Sequence, residues 1–411
     1  MTPAPRSVSS AGWRSPVALL TAGAVILALS LGIRHGFGLF LQPMSVANGW
    51  GREVFSFAIA LQNLLWGVTQ PFAGAIADRF GSGRVIVAGA LLYGVGLLVM
   101  AVAGTPATLS LGAGILVGIG LSGTSFTIVF AAISRAVPPE KRSVAMGVAA
   151  AAGSFGQFIM LPGTLTLIEW LGWSAALVAL AALAALMTPL AAALADKPGA
   201  GLAEPELTAR QALGEAASHR GFWLLSFGFF VCGFQVVFIG VHLPAFLVDS
   251  GLSIQVGTTA LALVGLFNIA GTYCAGLWGG RIRKPLLLAG IYAARAFVIA
   301  AFAFAPISPW TAYAFGATMG FLWLGTVPLT NGTVASVFGV RNMSMLTGIV
   351  FLFHQVGAFL GGWLGGVVFD RTGSYDAVWL AAIALSVVAL LANVPIRETP
   401  VARLQSLGAT T

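Results

Sequence analysis

The sequence carries little charge for its length. Of its 411 residues only 8% are Asp, Glu, Lys or Arg, whereas 58% are hydrophobic. A soluble globular domain carries about 25% charged residues, so this composition excludes an ordinary soluble protein. The mean hydropathy of +0.95 supports the same conclusion. We therefore predict an all-α membrane protein.

Cysteine is scarce as well. The sequence has two cysteines, Cys232 and Cys274, and both lie in apolar runs, which argues against a disulfide framework or a cysteine metal site. There is no H-E-x-x-H motif, and Gly118-x-Gly120-x-x-Gly123, which matches a dinucleotide fingerprint, lies inside an apolar run with no strand before it. We expect no enzymatic activity, no cofactor and no metal.

The apolar residues fall into twelve segments, and crossing a bilayer takes about 20 residues. The first segment follows Arg6 and Arg14, as in a signal peptide, but it is long and has no small-residue cleavage site. We interpret it as a retained span. The segments are residues 17–42, 54–77, 84–104, 107–133, 144–168, 173–194, 221–248, 257–280, 285–305, 311–338, 343–369 and 377–394.

The basic residues predict the orientation. The odd-numbered loops hold two of them, Arg52 and Arg371. Sixteen lie in the termini and the even-numbered loops: Arg6, Arg14, Arg79, Arg84, Arg135, Lys141, Arg142, Lys197, Arg210, Arg220, Arg281, Arg283, Lys284, Arg341, Arg397 and Arg403. The positive-inside rule places both termini in the cytoplasm, with the chain in the inner (plasma) membrane. The net charge of +8 is thus a topology signal and not a nucleic-acid site.

The chain also shows an internal repeat. A polar linker at residues 196–219 separates residues 1–195 from residues 220–411. The glycine-rich and basic end of the second segment, residues 74–84, recurs about 202 positions later at residues 276–284. A constant offset of this kind is typical of an internal duplication, so we predict two six-helix bundles.

One loop motif resembles that of a known family. The end of the second segment reads Gly74-x-x-x-Asp78-Arg79-x-Gly81-x-x-Arg84, which is similar to the signature loop of the major facilitator superfamily. The resemblance implies two bundles that rock about a central site, and a gating role for Asp78, Arg79 and Arg84. It also implies a monomer.

Shorter motifs resemble the bacterial monocarboxylate transporter group of that superfamily. Gly49-Trp50 precedes the second segment, and the runs KRSVAMG at residues 141–147 and AGSFG at residues 152–156 lie in and before the fifth. This resemblance implies a small carboxylate as substrate and proton symport. Anion exchange and uniport stay open as alternatives.

Two arginines lie inside apolar segments without acidic partners. Arg34 is on the first segment and Arg295 on the ninth, whereas all 12 acidic residues fall in loops or at helix ends. An ionisable group inside the membrane indicates a functional site, and a carboxylate on the substrate would match the arginine fork. Alternatively, the arginines could reach the interface or bond backbone carbonyls. In the resembled group a basic residue stands near the position of Arg34 and His35.

Further candidate substrate-binding residues are polar or aromatic side chains on the predicted spans. They are His35, Gln62, Asn63, Trp66, Asn268, Trp323, His354 and Gln355. The same residues would equally serve as hydrogen bonders between helices. The histidines His35, His242 and His354 could each act as a proton switch or as a structural residue.

Together these features predict a secondary transporter of a small organic anion in the lipid bilayer. A drug or metabolite exporter of the same fold is one alternative. A membrane-embedded sensor or enzyme is the other, although no catalytic constellation supports it.

Overall fold

The protein is all-helical throughout the part of the chain that a computed structural model describes, residues 15–136, 139–195, 209–339 and 343–402. The helices before the linker are α1 (Pro16–His35), α2 (Leu41–Asn48), α3 (Arg52–Phe80), α4 (Ser82–Ala101), α5 (Pro106–Leu109), α6 (Val117–Thr124), α7 (Phe126–Ala136), α8 (Pro139–Ala185) and α9 (Met187–Leu190). Those after it are α10 (Ala209–Ser218), α11 (Arg220–Asp249), α12 (Ile254–Gly279), α13 (Lys284–Phe304), α14 (Pro309–Phe321), α15 (Thr326–Phe338), α16 (Met343–Thr372) and α17 (Asp376–Asn393).

The described helices form ten segments that are long and apolar enough to cross a membrane. One of them, Ala145–Leu194, has 50 residues, or about 75 Å of helix against a hydrocarbon core of about 30 Å. Helix α8 breaks within it at Gly172, where φ is +78°. Helix α3 is not among the ten, but its 29 residues are long enough to span. A multi-pass helical membrane protein is confirmed, and the count of twelve crossings stays a prediction.

Local sequence explains where several helices begin. Thr105 and Ser308 each form a capping box with a threonine three residues later, and a proline follows each cap directly. A capping box satisfies amide groups that have no partner inside the helix, and proline is favoured at the first helical position. The two boxes lie 203 positions apart, close to the predicted repeat offset.

Left-handed glycines repeat at the same spacing. Gly49 and Gly251 have φ of +67° and +86°, and they lie 202 positions apart. Gly172 and Gly373, with φ of +78° and +71°, lie 201 positions apart. A side chain rarely tolerates these angles, so both copies of each turn need glycine. The backbone thus supports the predicted duplication, while the division into domains stays a prediction.

The most extensive contacts between the two halves are those of α3 with α16 and of α8 with α12. Gly67 of α3 lies so close to α16 that an added Cβ would come 2.7 Å from the Cβ of Gln355. On the other seam, a Cβ added at Gly265 of α12 would come 3.0 Å from the Ser154 carbonyl oxygen of α8. Small residues permit this close approach of helices in membranes.

The described contacts of the two seams differ between the two ends of the bundle. We call the end with the loops at residues 49–51, 102–105, 250–253, 305–308 and 373–375 the odd-loop end, and the opposite end the even-loop end. Four glycines lie on the seam faces nearer the even-loop end: Gly74, Gly147, Gly276 and Gly348. A Cβ added at any of them would meet no described atom within 4 Å. Among the described residues, the contacts between the halves therefore lie at the middle and the odd-loop end.

Candidate functional site

Arg34 lies in the middle of the first crossing, Val17–Asn48. It is the last residue but one of α1, and a short 3-10 turn, Gly36–Phe40, connects α1 to α2. Its side chain is partly exposed in spite of this depth, as expected for a residue that faces an internal cavity. Its Nη2 donates a hydrogen bond to Oδ1 of Asn63, and its guanidinium carbon lies 5.1 Å from the centre of the Trp66 ring.

Among the described residues, the positive charge of Arg34 has no carboxylate partner. Within the part of the chain that the structure describes, its polar contacts are to the Asn63 amide and the Trp66 ring, and its Nε is buried without a hydrogen-bond partner. An unpaired charge in a low-dielectric environment is unfavourable. The arrangement therefore leaves Arg34 free to bind an anion.

A cavity borders Arg34, with about 350 Å³ of empty space that includes open solvent. Its polar lining residues are Arg34, His35 and Gln62. The remaining lining residues are apolar or glycine: Phe37, Gly38, Ile59, Val236, Val237, Gly240 and Val241. Because the last four belong to α11, both halves of the chain contribute to the cavity. This mixed lining suits a small molecule with one polar end.

Two amides of α3 fix the polar end of the cavity. Asn63 donates from Nδ2 to the Ile59 carbonyl at 2.8 Å, which turns its oxygen toward Arg34. Gln62 donates from Nε2 to the Ala113 carbonyl at 2.8 Å. Because a carbonyl only accepts, this bond determines which end of the amide is nitrogen. Oε1 of Gln62 is left buried with no partner among the described residues.

Ala113 belongs to a π-helical stretch, Ser110–Leu116, between α5 and α6. Such stretches widen a helix locally and are frequent at functional sites. Here the stretch contributes the carbonyl group that orients Gln62.

Trp66 is held in place under the Arg34 side chain. Its Nε1 donates to Oε1 of Gln70 at 2.9 Å and to Oγ of Ser125 at 3.3 Å. Its ring contacts Phe351 of α16 edge to face, with centroids 5.5 Å apart. The ring therefore connects the arginine to the opposite half of the chain.

His35 borders the same cavity. Its Nδ1 lies 2.6 Å from the Leu31 carbonyl oxygen, so Nδ1 carries the hydrogen. In the neutral ring Nε2 is then a hydrogen-bond acceptor. His35 can thus offer a lone pair to a ligand or take up a proton.

The structure places Arg295 outside this group. It is fully buried, and its N–H groups bond the carbonyl oxygens of Leu322 and Trp323 and, at 3.1 Å, Oε1 of Gln235. Residues 322–325 form the break between α14 and α15, where backbone carbonyls have no helical partner. Arg295 thus fills the alternative role, that of bonding backbone carbonyls.

Asn268 stabilises the same break. Its Oδ1 accepts from the Leu324 amide at 3.0 Å and from Oγ1 of Thr272 at 3.1 Å, while its Nδ2 donates to Oγ of Ser154 at 2.9 Å. With these groups occupied, Asn268 joins helices. Trp323 is 1% exposed and belongs to the hydrophobic core of the second half, so the structure separates these two candidates from Arg34 as well.

His354 and Gln355 lie on α16 near the seam with α3. The His354 ring stacks on Phe351 with centroids 5.8 Å apart, and its Nδ1 is 3.1 Å from Oε1 of Gln355. Gln355 packs against Gly67, one helical turn from Asn63, and its Nε2 is buried without a described partner. The pair lies next to the site but does not line the cavity.

At the odd-loop end, Asp370 of α16 caps α3 from the opposite half. Its Oδ1 accepts from the Arg52 amide at 2.9 Å and its Oδ2 from the Glu53 amide at 2.7 Å. A carboxylate at a helix N-terminus satisfies free amides and interacts favourably with the helix dipole. A Cβ added at Gly51 would lie 2.5 Å from this carboxylate, so only glycine permits the contact.

Arg52 forms further contacts between the two halves at the odd-loop end. Its Nη1 lies 2.6 Å from Oδ2 of Asp249 and 2.8 Å from the Tyr375 hydroxyl. Burial raises the pKa of Tyr375 to about 12, so the hydroxyl keeps its proton and lies 3.2 Å from Nδ1 of His242. Nε2 of His242 donates to the Gly362 carbonyl at 2.8 Å. His242 is therefore a structural residue of this closed end.

Sequence reasoning missed this capping contact. The signal that could have found it is a repeated pentapeptide pattern, Asp-Arg-x-Gly-Ser, at residues 78–82 and 370–374. Helix α3 ends inside the first copy and α16 inside the second, each before a left-handed glycine. Arg79 and Arg84 are exposed, whereas the Asp78 side chain lies outside the described residues. Their gating role stays a prediction.

Comparisons with known proteins agree with this architecture. The family model described as Major Facilitator Superfamily matches residues 17–362. The chain is 27% identical to monocarboxylate transporter 11 of Mus musculus, over 92% of this chain and 86% of that protein. It is 26% identical to the uncharacterized MFS-type transporter YcxA of Bacillus subtilis, over 86% and 89%.

Two further similarities cover nearly the whole chain. The oxalate:formate antiporter of Oxalobacter formigenes is 22% identical over 95% of this chain and 94% of that protein. A crystal structure of a bacterial homologue of the human lysosomal transporter Spinster superposes with a TM-score of 0.69 at 15% identity, covering 94% and 95% of the two chains. The chain is thus a multi-pass membrane protein that belongs to the Major Facilitator Superfamily.

Proposed function

We propose that the protein is a secondary transporter that moves a small organic anion of the monocarboxylate type by alternating access. One observation carries the proposal: Arg34 borders a cavity at mid-membrane depth and has no carboxylate partner among the described residues. A substrate carboxylate would supply the missing negative charge in a geometry that matches the guanidinium. The names of two relatives, a monocarboxylate transporter and an oxalate:formate antiporter, support this substrate class.

The contacts between the halves support alternating access. Asp370 and Arg52 close the odd-loop end, whereas a Cβ added at Gly74 or Gly276, toward the even-loop end, would meet no described atom within 4 Å. By the distribution of basic residues the even-loop end is cytoplasmic. We therefore assign this conformation to a state that is open to the cytoplasm. The protein would lie in the inner membrane with both termini cytoplasmic. Two six-helix bundles, joined by residues 196–219, would move against each other as a monomer.

We propose further that transport is coupled to protons. Of the residues that line the cavity, Arg34 and His35 are the ones that can carry a positive charge. A proton on His35 would add a second positive charge beside the carboxylate. We expect uptake by the wild-type protein to increase when an inward proton gradient is imposed, and His35→Gln to lose this increase while retaining exchange of labelled for unlabelled substrate.

The proposal is tested by transport into proteoliposomes. Labelled lactate, pyruvate, formate and oxalate are offered to the wild type, to Arg34→Gln and to Arg34→Lys. Removing one partner of a desolvated charge pair costs about 2–5 kcal/mol, so uptake below saturation by Arg34→Gln should fall by about 30-fold or more. Arg34→Lys keeps the charge without the fork and should retain part of the activity.

Arg281→Gln is the matched control, because Arg281 is exposed in the loop after α12 and its loss should leave uptake unchanged. If Arg34→Gln transported these acids as fast as the wild type, Arg34 would not be the anion site. If none of the acids entered and lipophilic cations were expelled instead, the protein would be an exporter of the same fold.

A further inference from the structure

We propose that Gln62 selects among anions by accepting a hydrogen bond from a hydroxyl group next to the substrate carboxylate. A short 2-hydroxy acid would then be preferred over the corresponding acid without the hydroxyl. This inference rests on the proposed function, because it concerns the same cavity.

The free acceptor on Gln62 is the observation behind the proposal. Nε2 of Gln62 is used by the Ala113 carbonyl at 2.8 Å, so the amide cannot rotate without losing that bond. The residue is 0% exposed and lines the cavity, and its Oε1 has no partner among the described residues. A buried acceptor without a donor is unfavourable and is rare in folded proteins. A donor on the ligand would satisfy it.

The position of Gln62 restricts where that donor can be. Gln62 and Arg34 line the same cavity, and Gln62 directly precedes Asn63, whose oxygen bonds Arg34. A ligand that binds both must carry its donor near its carboxylate. Apart from His35, the rest of the lining is apolar or glycine, including Ile59 and Val237, which suits a short hydrocarbon part.

The charge of the site decides which donor fits. A protonated amine would lie beside the Arg34 guanidinium, and no carboxylate lines the described cavity to offset the repulsion. A keto oxygen would turn its lone pairs toward the lone pairs of Gln62. A neutral hydroxyl avoids both conflicts, which points to 2-hydroxy acids.

The test compares three acids of the same carbon number: lactate, propionate and pyruvate. Each labelled acid is offered below saturation to proteoliposomes that contain the wild-type protein. A site that bonds a hydroxyl discriminates against the analogue without it, and one neutral hydrogen bond together with the unsatisfied acceptor gives about tenfold. We expect lactate to enter about tenfold faster than propionate, and pyruvate to be the slowest.

Gln62→Met removes the acceptor at similar size and should bring the lactate-to-propionate ratio to about one, with Gln62→Leu as a second variant in case the first does not fold. General damage would lower both rates together and leave their ratio unchanged. Gln157→Met is the matched control. Gln157 is 2% exposed and donates to the Leu261 carbonyl at 3.2 Å, but it does not line the cavity. Its variant should keep the wild-type ratio.

Equal rates for the three acids in the wild type would overturn the inference while leaving the proposed function intact. A preference for lactate over propionate that persists in both Gln62 variants would also overturn it, because another residue would then bind the hydroxyl. If none of the acids entered the vesicles, the proposed function itself would fail, and this inference with it.

Discussion

Asp370→Asn should open the odd-loop end of the protein. In the structure the Asp370 carboxylate accepts two backbone hydrogen bonds from the first turn of α3, at 2.9 and 2.7 Å. Asparagine keeps one accepting oxygen but loses the charge and turns an NH2 group toward the second amide. The closed end is therefore destabilised, whereas an open end, in which this contact is broken, is not affected.

The size of the effect follows from the two bonds. A hydrogen bond to a charged group contributes about 1.5–3 kcal/mol and a neutral one about 0.5–1.5 kcal/mol. Asp370 is exposed, so the lower values apply. Replacing two charged bonds by one neutral bond shifts the equilibrium by about 2 kcal/mol, or about 30-fold. An open state populated at about 1% would rise to roughly a quarter.

The distance between spin labels across the odd-loop end measures this population. Val102 and Trp310 lie in or beside loops of different halves and are 79% and 80% exposed, so cysteines placed there can be labelled without disturbing the core. The two native cysteines, Cys232 and Cys274, are first replaced by serine. Pulsed electron paramagnetic resonance should give one distance for the labelled protein that keeps Asp370. For the labelled Asp370→Asn variant it should give the same distance and an additional longer one.

Asp376→Asn serves as the matched control, because Asp376 is an exposed carboxylate six residues further along the chain that begins α17 within its own half. It should leave the distances unchanged. The reasoning would be refuted if the Asp370→Asn distances matched those of the parent, since the contact would then carry no part of the closed state.

Two further predictions concern stability. Arg295→Met should lower the apparent melting temperature in detergent, because it leaves the buried carbonyls of the break after α14 without donors. The cost is about 2–4 kcal/mol. A weaker substrate affinity at unchanged stability would instead indicate that Arg295 binds the substrate. Gly357→Ala should destabilise the protein by about 1–3 kcal/mol, because its Cβ would overlap the Phe230 carbonyl oxygen, whereas Gly348→Ala, with no described atom within 4 Å, should not. Equal melting temperatures for the two alanine variants would contradict this view of the α11–α16 packing.

The fold was predictable because its signals are long and repeated. Hydropathy, basic residues in alternate loops and an offset near 202 each draw on many residues, so single errors do not change the outcome. The separation of Arg34 from Arg295 was not predictable from hydropathy. Both are arginines inside apolar runs, and the difference lies in the break between α14 and α15, whose carbonyl groups bond Arg295.

The candidate site divides for the same reason. Asn63 bonds Arg34 and Gln62 lines the same cavity, whereas Asn268 bonds the break through the Leu324 amide. A buried amide can bind substrate or join helices with equal chemistry. Only the positions of neighbouring backbone groups decide between these roles, and no local sequence pattern records them.

Helix α3 joins the proposed binding site to the closed end of the protein. Its first turn is capped by Asp370, and Asn63 and Trp66 in its middle contact Arg34. A ligand can shift a conformational equilibrium only if it binds the two states differently. Here a carboxylate would compete with Asn63 for Arg34, and Trp66 also contacts Phe351 of the opposite half. Substrate binding would therefore change the packing of α3 against α16. These are the two helices that Asp370 links at the odd-loop end.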